Sequence, residues 1–177
     1  MTDADQATSF EAFVERRGPA LLRLAWLMTA DADLAQDLVQ DALLKVLPRW
    51  HRIVAKGEPE PYVRTVIRTT YVDGLRRRRW FEVDLDDAPE QSDGGDTSQH
   101  AATRVTVQAA LQRLTPRQRA VLVLRFYEDL TEVATAHALG CSVSTVKSQT
   151  RHAIARLRAL SPELVDLLDP RLQREAP

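Results

Sequence analysis

Between Val143 and Leu160 the apolar positions recur every three or four residues. At about 100° per residue, Val146, Thr150, Ala153, Leu157 and Leu160 fall within about 40° of one direction, with Ile154 at the edge. That spacing predicts an amphipathic helix with one core face. Just upstream, ThrGluValAlaThrAlaHisAlaLeuGly (131 to 140) carries a Thr suited to cap a short helix and a Gly suited to end it. Cys141 and Ser142 then make a tight connection, with Ser142 or Ser144 as the next N-cap. A short helix, a Gly-containing turn and a longer helix is the order of a helix-turn-helix.

The same periodicity predicts helices earlier in the chain. Asp33-Leu-Ala-Gln36 has the form of a capping box and opens a helix running to about Leu47, before Pro48. Leu38, Ala35, Ala42, Val46, Val39 and Leu43 share one arc, and Gln40, Asp33, Leu44, Asp37 and Asp41 the other. SFEAFVERRGPALLRLAWLM, from Ser9, is a further amphipathic helix, expected to kink or restart at Gly18-Pro19. PYVRTVIRTTYVDGLRRRRW (61 to 80) is ambiguous, because Val, Thr, Ile and Tyr favour strands. As a helix it gathers Val63, Val66, Ile67 and Thr70 on one arc, and Pro61 suits a first turn; helix is the reading adopted. The expected fold class is therefore all-α.

Charge divides the chain further. The net charge is only −1, yet residues 1 to 47 hold eight acids against four bases, and residues 63 to 82 six bases against two acids. Residues 82 to 96 then hold seven acids and no base, and residues 103 to 160 nine bases against three acids. The acidic stretch also contains the GlyGly pair and ends in SerGln, so 84–102 reads as a flexible acidic linker. It joins two small helical domains, 1–83 and 103–162, the second containing the helix-turn-helix. Residues 163–177 form a tail; SPELVDLLDPRLQREAP, from Ser161, opens with a cap and a Pro suited to a short helix.

With 44% apolar and 28% charged residues the chain is foldable rather than disordered. One cysteine, Cys141, excludes an internal disulfide and a Cys-cluster zinc site. No apolar run approaches about 20 residues, and MTDADQATSF is acidic where a signal peptide would be basic. A cytoplasmic protein with no membrane association is expected. His51, His100, His137 and His152 are too scattered for a metal-ligand pattern, and no Gly-rich phosphate loop occurs. The expectation is a non-enzyme without catalytic residues, metal or cofactor.

Three polar faces remain. Opposite the core stripe of the last helix lie Ser144, Lys147, Ser148, Arg151 and Arg158, with His152 at the margin. A solvated face would satisfy that pattern, but such faces mix in acids and none occurs from Gly140 to Leu160. Small hydroxyls between cations allow close approach to DNA, where Lys and Arg reach guanine acceptors or phosphates. In the 61–80 segment Arg64, Arg68 and Arg79 share a side, with Thr65, Thr69 and Arg76 nearby. The run Arg76, Arg77, Arg78, Arg79 has Tyr71, Trp80 and Phe81 beside it, and basic grooves with stacking rings hold unpaired bases. Finally, Leu44 interrupts the acidic arc of Asp33, Asp37, Gln40 and Asp41, which suits a partner surface as well as a lone exposed side chain.

These residues resemble the extracytoplasmic-function sigma factors, the promoter-specificity subunits of bacterial RNA polymerase, over about residues 8 to 160. AspLeuValGlnAspAlaLeuLeu (37 to 44) is similar to the family's polymerase-clamp-binding helix. ProTyrValArgThrValIleArgThrThrTyrValAsp (61 to 73) with the following arginines is similar to its −10 recognition and melting region. LeuThrProArgGlnArgAlaValLeuValLeuArgPheTyrGluAspLeu (114 to 130) with LeuGlyCysSerValSerThrValLysSerGlnThr (139 to 150) is similar to its −35-binding domain. The chain departs from the family pattern at Tyr62, Thr69 and Ser144, where Trp, Asn and Gly are usual.

The resemblance implies docking on the clamp helices of core RNA polymerase through Asp33, Asp37, Gln40, Asp41 and Leu44. It implies capture of single-stranded −10 DNA by Arg64, Arg68, Thr69, Arg76, Arg77, Arg78, Arg79 and Trp80. Duplex −35 DNA would be read by Ser144, Lys147, Ser148, Arg151, His152 and Arg158, and the acidic linker would thread the polymerase channel. An anti-sigma factor is left open as a further partner. Two other functions fit composition and spacing: a self-sufficient regulator binding symmetric half-sites, and a polymerase-binding interaction protein without promoter reading.

Overall fold

A computed structural model of the protein describes residues 9–81 and 107–160. The chain divides into two compact units, Met1–Val83 and Asp84–Pro177. Among the described residues every regular element is helical. The linker and tail expected at 84–102 and 163–177 lie outside the described residues.

In the first unit, α1 spans Phe10–Thr29 and ends at Ala30, whose left-handed backbone (φ 55°) turns its N–H back to the Trp26 carbonyl. The expected restart at Gly18-Pro19 does not occur: α1 continues through Pro19. The proline sacrifices one helical hydrogen bond, but Phe13 before it and Leu21, Leu24 and Met28 after it are buried and keep the helix unbroken. Helix α2 spans Ala32–Val46 and begins two residues earlier than the expected box, because Asp31 rather than Asp33 caps it, accepting from the Leu34 N–H at 2.9 Å. Asp33 instead lies in the first turn, where its charge complements the helix dipole. Pro48 ends α2 as expected, in a 3-10 turn at Leu47–Arg49, followed by α3 (Trp50–Val54).

Trp50 meets Phe10 edge-on at 5.1 Å and Phe13 at 5.0 Å, tying α3 to the start of α1. The ambiguous segment is helical: α4 spans Glu60–Phe81. Val63, Ile67 and Thr70 of the expected arc are buried, so core burial overrides the strand propensity of Val, Ile and Thr. Helix α2 packs between α1 and α4, and the Lys45 ammonium donates to the Thr70 hydroxyl at 2.9 Å across the α2–α4 seam.

In the second unit, α5 covers residues 107–112 and α6 spans Pro116–Leu122. A capping box opens α6, with the Thr115 hydroxyl accepting from the Gln118 N–H and the Gln118 side chain accepting from the Thr115 N–H. Arg119 is buried, and its guanidinium donates to the Leu111 carbonyl at 2.8 Å, pinning the end of α5. Helix α6 runs on into a wider π turn at Val123–Tyr127. Helices α7 (Glu132–Leu139) and α8 (Val143–Leu160) follow, and α8 packs on both α6 and α7. Val146, Ala153, Ile154 and Leu157 are buried, the core stripe expected for α8.

Candidate functional site

The helix-turn-helix is set by three local devices. Thr131 caps α7, its hydroxyl accepting from the Ala134 N–H at 3.1 Å. Gly140 ends α7 in the left-handed conformation (φ 61°), and the next N–H, of Cys141, returns to the Ala136 carbonyl. Ser142, and not Ser144, caps α8, accepting from the Thr145 N–H at 3.1 Å. Val121, Ala136 and Val146 are buried together, with Leu139, Cys141 and Val143 packed against them. That cluster fixes the angle between α7 and α8. Partial burial raises the Cys141 thiol pKa, and the positive charge of Arg117 partly offsets the shift.

With its core side buried, α8 turns the opposite stripe outward: Ser144, Lys147, Arg151, His152 and Arg158 are exposed and Ser148 is half-buried. Lys147 is not free, since its ammonium lies 3.6 Å from the carboxylate of Glu132, the first residue of α7. Glu132 was not among the residues singled out from the sequence. The separation of the two positions carries no periodic signal, and only the turn brings them together.

The acidic arc of α2 is also outward: Asp33, Asp37, Gln40 and Asp41 are exposed, and Leu44 is 67% exposed. Leu34, in the first turn of α2, and Leu47, in the 3-10 turn that follows the helix, add exposed apolar surface at its two ends. The sequence reading put Leu44 alone on this face, and the structure extends it in both directions.

On α4 the basic residues fall into two groups. Arg64 is engaged: its Nε donates to Glu60 at 2.9 Å, and the same carboxylate holds Arg17 of α1 at 3.0 Å. Arg68 donates to the Thr65 hydroxyl at 2.8 Å, and the exposed Thr69 hydroxyl bonds back to its own helix at the Thr65 and Val66 carbonyls. Further along, Arg76 lies 3.9 Å from Asp73, and Arg77 donates to the Asp73 carbonyl at 3.4 Å. The helix continues through Arg78, Arg79 and Trp80, whose side chains lie outside the described residues. Among the described residues no group of three or more His, Cys, Asp or Glu could hold a metal ion, and no helix is long and apolar enough to cross a membrane.

Two all-helical units, one with a basic helix and the other with a helix-turn-helix whose outer face is basic, have the make-up of a DNA-binding protein. Residues 13–81 match Sigma-70 region 2, and residues 110–159 match Sigma-70, region 4. The chain is 40% identical over 172 residues to the RNA polymerase sigma-E factor of Streptomyces coelicolor, covering 96% of this chain and 95% of that one. It is 30% identical over 166 residues to the ECF RNA polymerase sigma factor SigL of Mycobacterium tuberculosis, covering 91% and 93%. In fold it is similar to the sigma factor RpoE of Bartonella quintana, crystallised with the anti-sigma factor NepR, at a TM-score of 0.57 and 22% identity over 87% of this chain and 97% of that one. The chain belongs to the RNA polymerase sigma factors of the extracytoplasmic-function type. Sigma factors are non-enzymatic transcription initiation factors.

Proposed function

We propose that this sigma factor divides its work between the three outward faces. The α2 arc of Asp33, Asp37, Gln40, Asp41 and Leu44 docks on the clamp helices of core polymerase, with Leu34 and Leu47 extending the apolar part of the contact. The outer side of α4 holds the strand-separated −10 element through Arg68, Thr69, Arg76 and Arg77 and the following Arg78, Arg79 and Trp80. Arg64 contributes chiefly by anchoring α4 to α1 through Glu60. Ser144, Lys147, Ser148, Arg151 and His152 read the −35 duplex, and Arg158, four turns into α8, meets phosphate. Residues 1–83 and 103–162 are the two working domains, and the acidic linker 84–102 occupies a nucleic-acid path in the polymerase. The protein works in the cytoplasm without cofactor, and an anti-sigma factor is the class of regulator suited to it.

The observation that carries this reading is the outer face of α8, with exposed cations and hydroxyls near a helix start fixed by Ser142 and no acid between Gly140 and Leu160. Cations there reach base edges and phosphates, as a recognition helix requires. Run-off transcription from a genomic library by core polymerase, with and without the protein, tests it. New start sites sharing two elements at fixed spacing are expected. Transcription that does not change when the protein is added refutes the reading.

A further inference from the structure

The reading stripe of α8 holds its cations in two different states. Lys147 is ion-paired across the turn to Glu132 at 3.6 Å. Arg151, one turn further on, is exposed and makes no ion pair among the described residues. Both partners of the pair remain open to a ligand, with side chains 57% and 39% exposed. Each also starts from a fixed backbone: Glu132 follows the Thr131 cap, and Lys147 lies one turn beyond the Ser142 cap. From Leu130 to Leu160, Glu132 is the sole acid, so its carboxylate is the one negative charge that chain segment sets beside the stripe.

We infer that Glu132 is a specificity-determining positioning residue, which holds the Lys147 ammonium so that it engages DNA only where base acceptors repay the loss of the pair. This rests on α8 reading the −35 element. An unpaired lysine is drawn to phosphate whatever the sequence and adds to affinity for every site. A lysine neutralised by a neighbouring carboxylate loses that general attraction, and the carboxylate itself repels phosphate. At a guanine whose O6 and N7 accept from the ammonium the pair gives way to a better one. At a mismatched position it does not, and discrimination is gained by penalising the wrong sites. Exposed ion pairs are weak, which sets the effect at about two- to fivefold and makes it fade as salt rises.

The test is holoenzyme transcription from a promoter library with a randomised −35 element, at low and high salt, using Glu132→Gln, Lys147→Ala and the double variant. Glu132→Gln should raise output from poorly matched −35 elements about two- to fivefold relative to the best ones and steepen the salt dependence by about one unit. In the Lys147→Ala background the Glu132 substitution should leave the −35 preference unchanged, relieving only the carboxylate's repulsion of phosphate, which moves all promoters alike. Glu132→Asp, which keeps the charge, should retain most of the discrimination. The inference is overturned if Glu132→Gln leaves the preference unchanged, moves all promoters together, or acts equally without Lys147. If Lys147→Ala and Arg151→Ala also leave the −35 preference untouched, it is the assignment of α8 as the reader that has failed. If those two alter it and Glu132→Gln does not, only the role of Glu132 falls.

Discussion

Arg64 donates to Glu60 at 2.9 Å, one helical turn apart on α4, with both side chains largely buried (22% and 17% exposed). Because Glu60 also holds Arg17 of α1, the carboxylate is a junction between two helices rather than a local ornament. Removing it leaves Arg64 partly buried without its acid. Glu60→Gln and Arg64→Ala should each cost about 1–2 kcal/mol of stability in the first unit. Thermal unfolding of the full chain checks this. Arg68→Ala, on a more superficial bond, should leave the melting temperature nearly unchanged while weakening open-complex formation. Equal melting temperatures for all three variants would return Arg64 to the DNA face.

Leu44 is the most exposed large apolar side chain on α2, in the middle of an acidic arc. Its removal leaves no cavity, so Leu44→Asp should not destabilise the fold. At an interface, loss of an apolar anchor costs on the order of 1–3 kcal/mol, a roughly tenfold or greater fall in affinity for core polymerase. Asp41→Lys, a charge inversion beside it, should act in the same direction and depend more on salt. Binding of both variants to core polymerase at the unsubstituted affinity, measured by fluorescence anisotropy, would remove this face from the contact.

Much of this arrangement was legible in the sequence, because periodicity and caps are local signals. Val146, Ala153 and Leu157 announced the core side of α8, and Gly140 its preceding turn. Glu60 and Arg64 stand four apart and could have been paired from spacing alone, whereas Arg17 reaches them only through tertiary packing. In the ADAD run either Asp31 or Asp33 could cap α2, and the run alone does not choose between them. Pro19 read as an interruption because the cost of one lost hydrogen bond is visible locally and the compensating burial of Leu21, Leu24 and Met28 is not. ThrProArgGln at 115 to 118 carried a legible capping box. The Glu132–Lys147 pair had no sequence signature at all.

Thr135 on α7 is fully buried, and its hydroxyl has no hydrogen-bond partner among the described residues. A hydroxyl in that position carries a desolvation cost that nothing returns. Valine has the same shape without the polar atom, so Thr135→Val should stabilise the second unit by about 1 kcal/mol, raising its melting temperature by about 4–8 °C. A lowered melting temperature would mean that the hydroxyl is satisfied in solution.

Cys141 is the single cysteine, and burial raises its thiol pKa while Arg117 partly opposes the shift. A raised pKa keeps the thiol protonated, and the thiolate is the reactive form. Alkylation by iodoacetamide at neutral pH should therefore be slower in the folded protein than in the urea-unfolded chain, with a higher midpoint in its pH profile. Linkage gives the sign for stability: the contribution is fully present below the unfolded thiol's pKa and is lost as pH rises through the folded one. Identical alkylation profiles in the two states would contradict the assignment.

Arg151 and Arg158 test whether position along α8 separates base reading from phosphate attraction. Both are exposed, but Arg151 lies within about two turns of the capped start and Arg158 two turns further on. A recognition helix offers its N-terminal residues to base edges, and its later residues pass over the backbone. Arg151→Ala should cost about 1–3 kcal/mol on the preferred promoter and relax the preference at one or two −35 positions. Arg158→Ala should weaken all promoters alike and lower the salt slope by about one. Holoenzyme is the proper setting, because the acidic stretch at residues 82 to 96 opposes DNA binding by the isolated chain. If transcription from the randomised −35 library shows the same preferred sequence for Arg151→Ala as for the unsubstituted protein, and Ser144, Lys147 and Ser148 substitutions agree, the stripe is a solvated surface and the −35 element is read elsewhere.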